Sequence, residues 1–337
     1  MSTRRDPTTK VDNGRKNKQK KKSANPRDFL SHCTGVRRSI AWDTGADPIP
    51  VHAEAALLRS AVLLRRGEYG IIRDGDDREQ EITRVAHRWG MTTQQAMAVR
   101  QQLLVQNFSF HGNRDVQKKI RMIKKAIENK TPIMKLTHEL DQPPMSIFRV
   151  FLLDRVRNSG KKKSPKGQEN VFKARVRDIV QGKNTKLLND WEKEQLEIAK
   201  ENDAIAYEPP IRREKADDWE SQVYEFLNKL NIKYLSEKDF LQAGCPITPD
   251  CLILDDLYIN GKLVRWIEVK SFYLSGSKDC NKLFASKLKK QVQKYEDGFG
   301  EPGAVLFKHG FSEIVADLLP TTLCLDSSVL AEPEERR

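Results

Sequence analysis

Two short segments decide the fold of this chain: Thr248-Pro-Asp250 and Leu263-Val-Arg-Trp-Ile-Glu-Val-Lys-Ser271. Apolar and polar residues alternate in the second segment, which predicts a strand. Residues two apart on a strand share a face, so Trp266, Glu268 and Lys270 are expected to point the same way. Two carboxylates and an ammonium group are costly to bury together. A divalent metal ion and a phosphate are the usual reason for such a cluster.

The residues around these segments predict a mixed α/β unit of about a hundred residues. Asp217 or Asp218 is expected to cap a helix whose apolar stripe runs from Trp219 to Leu230. Asn260-Gly261 predicts a tight hairpin between two strands. The expected strands cover residues 231–235, 250–254, 263–272, 303–307 and 323–325, and a helix covers residues 278–297. This order predicts a mixed sheet flanked by helices.

The first half of the chain predicts helices only. They are expected at residues 52–66, 79–87, 94–104, 113–129, 133–140, 145–156, 171–180 and 184–201. Two pairs resemble helix–turn–helix units: one turns at Trp89–Thr93, with Thr92 or Thr93 as N-cap, and one at Asp141–Pro144. They could read DNA bases or form a helical platform, and the frequency of helical hairpins favours the platform. A basic face suits non-specific phosphate contact: Lys118, Lys119, Arg121, Lys124 and Lys125.

Composition divides the chain into five parts. They are a disordered basic tail (1–40), a helical region with helix–turn–helix-like units (41–160), a basic linker with helices (161–215), the α/β domain (216–330) and a second tail (331–337). The run Arg15–Lys22 is polar and basic, so it is expected to be disordered. It could be a nuclear import signal, a phosphate-binding arm or a solubilising tail.

The net charge of +13 over 337 residues indicates a polyanionic partner. Residues 217–337 hold 15 Lys and Arg against 20 Asp and Glu, so residues 1–216 carry a net +18. The basic excess therefore lies outside the predicted α/β domain. The five cysteines form no CxxC pair, and no apolar run reaches the ~20 residues of a membrane span. We therefore expect an intracellular protein in a reducing compartment, with no membrane partner.

Phosphodiester hydrolysis needs a nucleophilic water and neutralisation of the phosphoryl charge. Asp250 and Glu268, brought together by the hairpin, are expected to bind Mg²⁺, with Mn²⁺ as a substitute and the carbonyl of Val269 as a third oxygen ligand. Lys270 would orient the water or stabilise the developing negative charge.

Pro249-Asp250 and Glu268-Val-Lys270 resemble the signature of the PD-(D/E)xK nucleases. Gln291-Val-Gln-Lys-Tyr295 resembles the Q-x-x-x-Y motif of the RecB-type and Holliday-junction-resolvase-like branch, and Glu220 matches an acid that many of these enzymes place beside the metal. A narrower resemblance is to the TPD-motif family. It includes three further features: Thr248 before Pro249-Asp250, the segment Trp266–Phe272, and the segment from Phe299-Gly300 to Gly310-Phe311.

This resemblance implies a restriction-endonuclease-like α/β C-terminal domain, an all-helical N-terminal region and a magnesium-dependent nuclease. It implies a nuclear or nucleocytoplasmic protein with a codanin-like partner, and DNA is the expected substrate ahead of RNA. The implied catalytic residues are Asp250, Glu268, Lys270, Glu220 and Gln291.

Helix 278–297 carries the candidate nucleic-acid contacts Lys287, Lys290, Lys294 and Tyr295. The lysines could equally form a solvated face, and Tyr295 could be a packing residue. Trp266 could stack on a base or form a wall of the site, and we prefer the wall. The rival to a nuclease is a non-catalytic nuclear module that binds DNA or protein, and a third class is a helix–turn–helix regulator. The sequence leaves the oligomeric state open.

Overall fold

The structure, a computed structural model, describes residues 24–42, 48–108, 113–159, 169–205, 210–300 and 302–330. Three predicted features lie outside these ranges: the basic run Arg15–Lys22, the basic cluster within 160–168 and the tail 331–337. No helix in the described ranges combines the length and apolar character that a bilayer span requires. The five cysteines, all within these ranges, are free thiols.

One six-stranded mixed sheet forms the centre of the C-terminal unit. Its strands are β1 (Arg37–Ile40), β2 (Tyr234–Ser236), β3 (Cys251–Ile259), β4 (Lys262–Lys270), β5 (Ala304–Phe307) and β6 (Leu323–Asp326). Their order is β1-β3-β4-β5-β6, and β2 also pairs with β3. The pairs β2–β3 and β3–β4 are antiparallel, and the others are parallel. The predicted α/β class with a mixed sheet is confirmed.

The hairpin between β3 and β4 turns at Asn260-Gly261, as predicted. Asn260 and Gly261 have φ of 50° and 78°, the left-handed pair that a tight two-residue hairpin needs. The Asn260 side chain also makes two hydrogen bonds to the backbone of Trp42, two residues after β1. Its Oδ1 accepts from the Trp42 amide at 2.7 Å, and its Nδ2 donates to the Trp42 carbonyl at 2.8 Å. The hairpin is therefore tied to a segment more than 200 residues earlier in the chain.

The prediction that residues 1–40 are disordered is wrong for residues 26–40. Pro26–His32 forms a 3-10 helix and Arg37–Ile40 pairs in parallel with β3. Phe29 packs on Phe240 with ring centroids 4.7 Å apart. These apolar contacts and the strand pairing supply the burial and hydrogen bonds that offset the ordering entropy of the segment.

Two long helices cover the two faces of the sheet: α10 (Pro210–Lys229) and α12 (Lys278–Phe299). Ile267 packs in the core that contains α10 residues, whereas Trp266 packs in the core that contains α12 residues. The predicted alternation along β4 is therefore confirmed. The helix predicted to begin at Asp217 or Asp218 begins instead at Pro210, because proline suits a first helical turn. Part of the predicted break at 207–213 is thus helical.

A short helix that the sequence did not predict, α11 (Glu237–Ala243), follows β2. The last helix is α13 (Val315–Leu318). The remaining helices are α1 (Val51–Arg59), α2 (Asp77–His87), α3 (Thr93–Asn107), α4 (Asn113–Lys118), α5 (Ile120–Glu128), α6 (Ile133–Leu140), α7 (Pro144–Asn158), α8 (Glu169–Val180) and α9 (Asp190–Asn202). The helix predicted at 113–129 is interrupted at Lys119, and the one predicted at 52–66 ends at Arg59.

The predicted helical region has two cores. Helices α4 to α9 share one core, centred on residues such as Phe148 and Leu196. Helices α1 to α3 share another with Tyr273 and Cys280 of the C-terminal unit. Because α3 also packs on α12, the first three helices are part of the framework around the sheet.

The second helix of each helix–turn–helix-like pair is buried. Thr92 caps α3 with a full capping box, as predicted, and α3 buries Ala96, Val99 and Leu104. Helix α7 likewise buries Ile147 and Phe148. Recognition helices must be free to enter a groove, so this packing fits the helical-platform interpretation.

Part of the predicted basic face on α4 and α5 is already engaged. The Lys119 Nζ donates to the Leu140 carbonyl at 2.7 Å, and Lys124 pairs with Asp154 at 3.0 Å. Lys118 pairs with Asp115 on its own helix. The exposed cations Arg121 and Lys125 keep this face positive, in line with its predicted phosphate contact.

Candidate active site

Asp250 and Glu268 lie side by side, and we call them the acidic pair. Cys251 pairs with Ile267 across the β3–β4 ladder, so the neighbouring Asp250 faces the Glu268 end of β4. Asp250 was predicted to lie within a strand, but it immediately precedes β3. The Val269 amide donates to Asp250 Oδ2 at 2.6 Å. The backbone of β4 thereby fixes the orientation of this carboxylate.

The surroundings of the acidic pair disfavour the ionised form of Asp250. Burial, and after it the charge of Glu268, raise the pKa of Asp250 to about 8, against the lowering effects of the Val269 amide and of Lys270. Burial in an apolar environment disfavours the ionised carboxylate, and a neighbouring like charge adds to that penalty. A cation placed between the two carboxylates would relieve both effects.

Glu268 is buried, with 3 % of its surface exposed, and both of its oxygens are engaged. Lys270 Nζ and Gln291 Nε2 both donate to Oε1, the latter at 2.8 Å. The Tyr295 hydroxyl donates to Oε2 at 2.7 Å. Charge-assisted hydrogen bonds of this kind are strong and directional. They hold Glu268 in one orientation toward Asp250.

Gln291 and Tyr295 lie four residues apart on α12, one turn apart on the same face. Gln291 Nε2 is 2.6 Å from the Tyr295 oxygen, so its amide group bridges Tyr295 and Glu268. Tyr295 was predicted as a nucleic-acid contact, but it is 4 % exposed and its hydroxyl is directed at Glu268. Its contact is therefore with the carboxylate. Gln291 lies at the site, where it was predicted.

Trp266 packs in the core beneath the acidic pair. Its side chain is fully buried, and its ring packs edge-on against Tyr295 with centroids 5.1 Å apart. The indole N–H donates to the Gly300 carbonyl at 3.2 Å. A Cβ at Gly303 would lie 1.9 Å from the indole ring, so only glycine fits there. Trp266 is thus the packed wall that we preferred to a base-stacking role.

Glu220 lies beside the acidic pair but does not join it as a third ligand. Its carboxylate accepts a hydrogen bond from Tyr224, whose hydroxyl is also 3.2 Å from the Asp250 carbonyl oxygen. Its charge nevertheless contributes to the raised pKa of Asp250. Tyr224 was not predicted as a site residue, although its position four residues after Glu220 on a predicted helix places it on the same face.

A cleft of about 460 Å³ opens above the acidic pair. Three exposed lysines of α12 form one side, which we call the lysine wall: Lys287, Lys290 and Lys294. Pro246 and Ile247 line the cleft as well, and so does Glu237 of the unpredicted helix α11. Cationic groups along a cleft with an acidic floor suit a phosphate backbone placed over a metal-binding site. The three lysines thus surround Gln291, as predicted.

The two carboxylates of the acidic pair are the donor type that magnesium takes in proteins. Mg²⁺ is commonly bound by one or two carboxylates and completes its shell with waters and substrate phosphate oxygens. In the described part of the chain, no set of three or more His, Cys, Asp and Glu side chains is placed to hold a metal. The oxygen donors at the site are therefore two carboxylates. The carbonyl of Val269 as a further ligand stays a prediction.

Two comparisons relate the chain to known proteins. Residues 188–328 match the family model described as "Protein of unknown function TPD sequence-motif". The predicted resemblance to the TPD-motif family is thereby confirmed for the part of the chain that holds the sheet and the acidic pair.

The particular relative is CDAN1-interacting nuclease 1 of Xenopus laevis, with 28% identity over 119 residues. The match covers 32% of this chain and 37% of that protein, so the chain matches well under half of its relative's length. No solved structure matches the chain.

Proposed function

We propose that this protein is a metal-dependent nuclease of the PD-(D/E)xK type that hydrolyses phosphodiester bonds, with DNA preferred to RNA. One observation carries the proposal: Asp250 and Glu268 meet at the floor of a cleft, with Lys270 bonded to Glu268 and three lysines along one side. An acid before a strand, an acid and a lysine on the next strand and a glutamine on the following helix support a restriction-endonuclease-like fold.

Asp250 and Glu268 are the residues that would hold Mg²⁺ or Mn²⁺. Bound there, the ion would supply Lewis-acid stabilisation of the phosphoryl charge and a bound water of lowered pKa. Gln291 and Tyr295 keep the Glu268 carboxylate in position, since each donates a hydrogen bond to it. The Val269 amide does the same for Asp250.

Lys270 has a second role beyond its contact with Glu268. The Lys270 side chain is 17 % accessible, whereas that of its partner Glu268 is 3 % accessible. It can therefore donate hydrogen bonds both to the carboxylate and to a phosphoryl oxygen or an attacking water in the cleft. Fixed donors at the point where charge develops are typically the largest electrostatic contribution to catalysis.

The lysine wall would bind the phosphates of the nucleic-acid strand. Its cations compensate for the overall negative charge of the C-terminal unit, where acids outnumber bases by five. The exposed cations of α5 and the sequence of the basic run Arg15–Lys22 provide further positive charge for a polyanion.

We also propose a cellular location and a protein partner. The basic run supports action in the nucleus, with a cytoplasmic pool, since short basic runs serve as import signals. The name of the Xenopus laevis relative supports a codanin-like protein as partner. Co-precipitation of the tagged full-length chain with such a protein, and imaging after deletion of residues 15–22, would test these two statements.

A cleavage panel tests the activity itself. Single-stranded, duplex and branched DNA and RNA are incubated with the full chain in Mg²⁺, in Mn²⁺ and in EDTA. We expect cleavage with either metal and none in EDTA. Asp250→Asn and Lys270→Ala should each lower the rate at least about a hundredfold, which is typical for loss of one electrostatic element of a site.

The matched controls are Asp297→Asn and Lys289→Ala, exposed residues of α12 that do not line the cleft. They should cleave like wild type. If wild type cleaves nothing, or if Asp250→Asn cleaves as fast as wild type, the nuclease proposal is wrong. Nucleic-acid binding that survives in all variants without cleavage would then favour the non-catalytic module.

A further inference from the structure

A second cavity of about 490 Å³ lies between α10 and β2. Its most distinctive feature is a pair of aromatic rings, Tyr224 of α10 and Tyr234 of β2, stacked in parallel with centroids 5.5 Å apart and planes 6° apart. Both tyrosines are only partly buried, so each still presents surface to the cavity. A volume of this size is typical of sites that bind small ligands.

The second cavity adjoins the acidic pair. Tyr224 lines it, and the hydroxyl of the same residue is 3.2 Å from the Asp250 carbonyl oxygen. Ser236 lines the second cavity, and the next residue, Glu237, lines the cleft. The two cavities therefore lie on either side of the junction of β2 and α11. A chain molecule that lies across Asp250 could occupy both.

The lining of the second cavity is suited to a nucleotide. Exposed Asn228 and Asn231 offer amide donors and acceptors for a base edge, and exposed Lys233 and Lys238 offer cations for phosphate. The acid in the lining, Asp239, is already engaged by the amide and hydroxyl of Ser236 at 2.7 Å each. An aromatic platform with amides and lysines is the combination that binds single-stranded nucleic acid.

We propose that this second cavity is a nucleobase subsite, which receives an unpaired base from the strand whose phosphate lies at the acidic pair. The base must be unpaired, because a base within a duplex is stacked and its pairing edge is occupied, whereas entry into a concave pocket requires it to leave the stack. The proposal rests on the proposed nuclease function for the position of the phosphate. It adds a substrate class to that function: strands with single-stranded character next to the cut.

Abasic scanning tests the subsite. A single-stranded oligonucleotide with one abasic position, moved one nucleotide at a time across the cut, is cleaved by the full chain with Mg²⁺. We expect one position near the cut at which loss of the base lowers kcat/KM by about tenfold, the magnitude of one base–aromatic contact. Tyr234→Ala should lower kcat/KM on the intact oligonucleotide by the same factor. On the oligonucleotide that is abasic at that position, Tyr234→Ala should match wild type.

Tyr234→Phe is the matched control, since it keeps the ring and removes only the hydroxyl that Asn228 contacts. It should retain the sensitivity to the missing base. Because Tyr234 packs partly in the core with α10, thermal unfolding of Tyr234→Ala is recorded as well. If that variant fails to fold, Asn228→Ala, an exposed change, should lose part of the discrimination between bases at the same position.

Binding separates this inference from the nuclease proposal. Fluorescence anisotropy in EDTA compares the intact oligonucleotide with the abasic one on wild type and on Tyr234→Ala. If wild type never cleaves but binds the intact strand about tenfold more tightly than the abasic strand, the nuclease proposal fails and the subsite stands. If cleavage occurs and the scan is flat, or if Tyr234→Ala is as sensitive to the abasic position as wild type, the subsite is wrong.

Discussion

The raised pKa of Asp250 predicts that Mg²⁺ binds this protein in competition with a proton. Burial and the neighbouring Glu268 bring the pKa of Asp250 to about 8, far above its usual 3.8. A metal ligand must be deprotonated, so the apparent affinity falls with the fraction of ionised Asp250. The apparent Kd should therefore rise about tenfold at pH 7 and about a hundredfold at pH 6, relative to its limit at high pH. Each pH unit corresponds to about 1.4 kcal/mol.

Calorimetry can measure this linkage directly. Mg²⁺ titrations at about pH 7, in two buffers with different ionisation enthalpies, give the number of protons released per ion, which should be close to one. Asp250→Asn should bind weakly and release no proton, whereas Asp297→Asn should behave like wild type. An affinity that stays constant between about pH 6 and pH 8, or binding without proton release in wild type, would refute the reasoning.

The same shift predicts how the stability of the metal-free protein depends on pH. Because the folded pKa of Asp250 lies above its unfolded value, the folded state holds a proton that the unfolded state releases. The resulting stabilisation is fully present below the unfolded pKa of 3.8 and is lost as the pH rises toward about 8. Urea unfolding in EDTA should show this decline, and it should be absent from Asp250→Asn.

Three further changes test other parts of the site. Tyr295→Phe removes a hydroxyl donor to the buried Glu268 carboxylate. It should lower kcat about tenfold and the free energy of unfolding by about 1–3 kcal/mol, as steady-state kinetics and urea unfolding would show. Lys290→Ala should weaken single-strand binding and make the slope of log K against log salt shallower by about 0.7. Lys289→Ala should leave the affinity and the slope unchanged. Anisotropy titrations at several salt concentrations measure both quantities. Gly303→Ala places a Cβ 1.9 Å from the buried indole ring and should lower the free energy of unfolding in urea by about 2–3 kcal/mol or more. Gly70→Ala, whose Cβ would have its nearest contact at 3.6 Å, should lower it little. Equal stability of the two alanine variants would contradict the packing beneath the acidic pair.

Local signals in the sequence predicted the elements that carry the site. The alternation along β4 places Trp266 and Ile267 in different cores, and Asn260-Gly261 forms the turn. Thr92 and Pro144 begin the helices that they were expected to begin. In each case the determinant is a residue type acting on its own backbone, so a short window of sequence contains it.

Long-range contacts account for what the sequence did not predict. Strand β1 has four residues with no apolar alternation, and all four pair with β3, beginning with Arg37 opposite Asp256. The engagement of Tyr295 with Glu268 depends on where α12 crosses β4, which the spacing Gln291–Tyr295 does not specify. The division of the helices into two cores is set by the packing of α3 on α12. These features depend on partners 27 to more than 200 residues away.

The packing of α1 to α3 gives the N-terminal helices a role in the site that charge alone does not suggest. Glu54 of α1 is buried, and its carboxylate accepts from the Gly276 amide at 3.0 and 3.2 Å, in the loop that joins β4 to α12. Gln106 of α3 donates to the Lys278 carbonyl at the start of α12. Helix α12 supplies two of the three side-chain donors to Glu268, those of Gln291 and Tyr295, so a displaced α12 would hold that carboxylate less firmly. We therefore regard helices α1 to α3 as part of the scaffold that positions the acidic pair, and residues 216–330 alone as an incomplete unit.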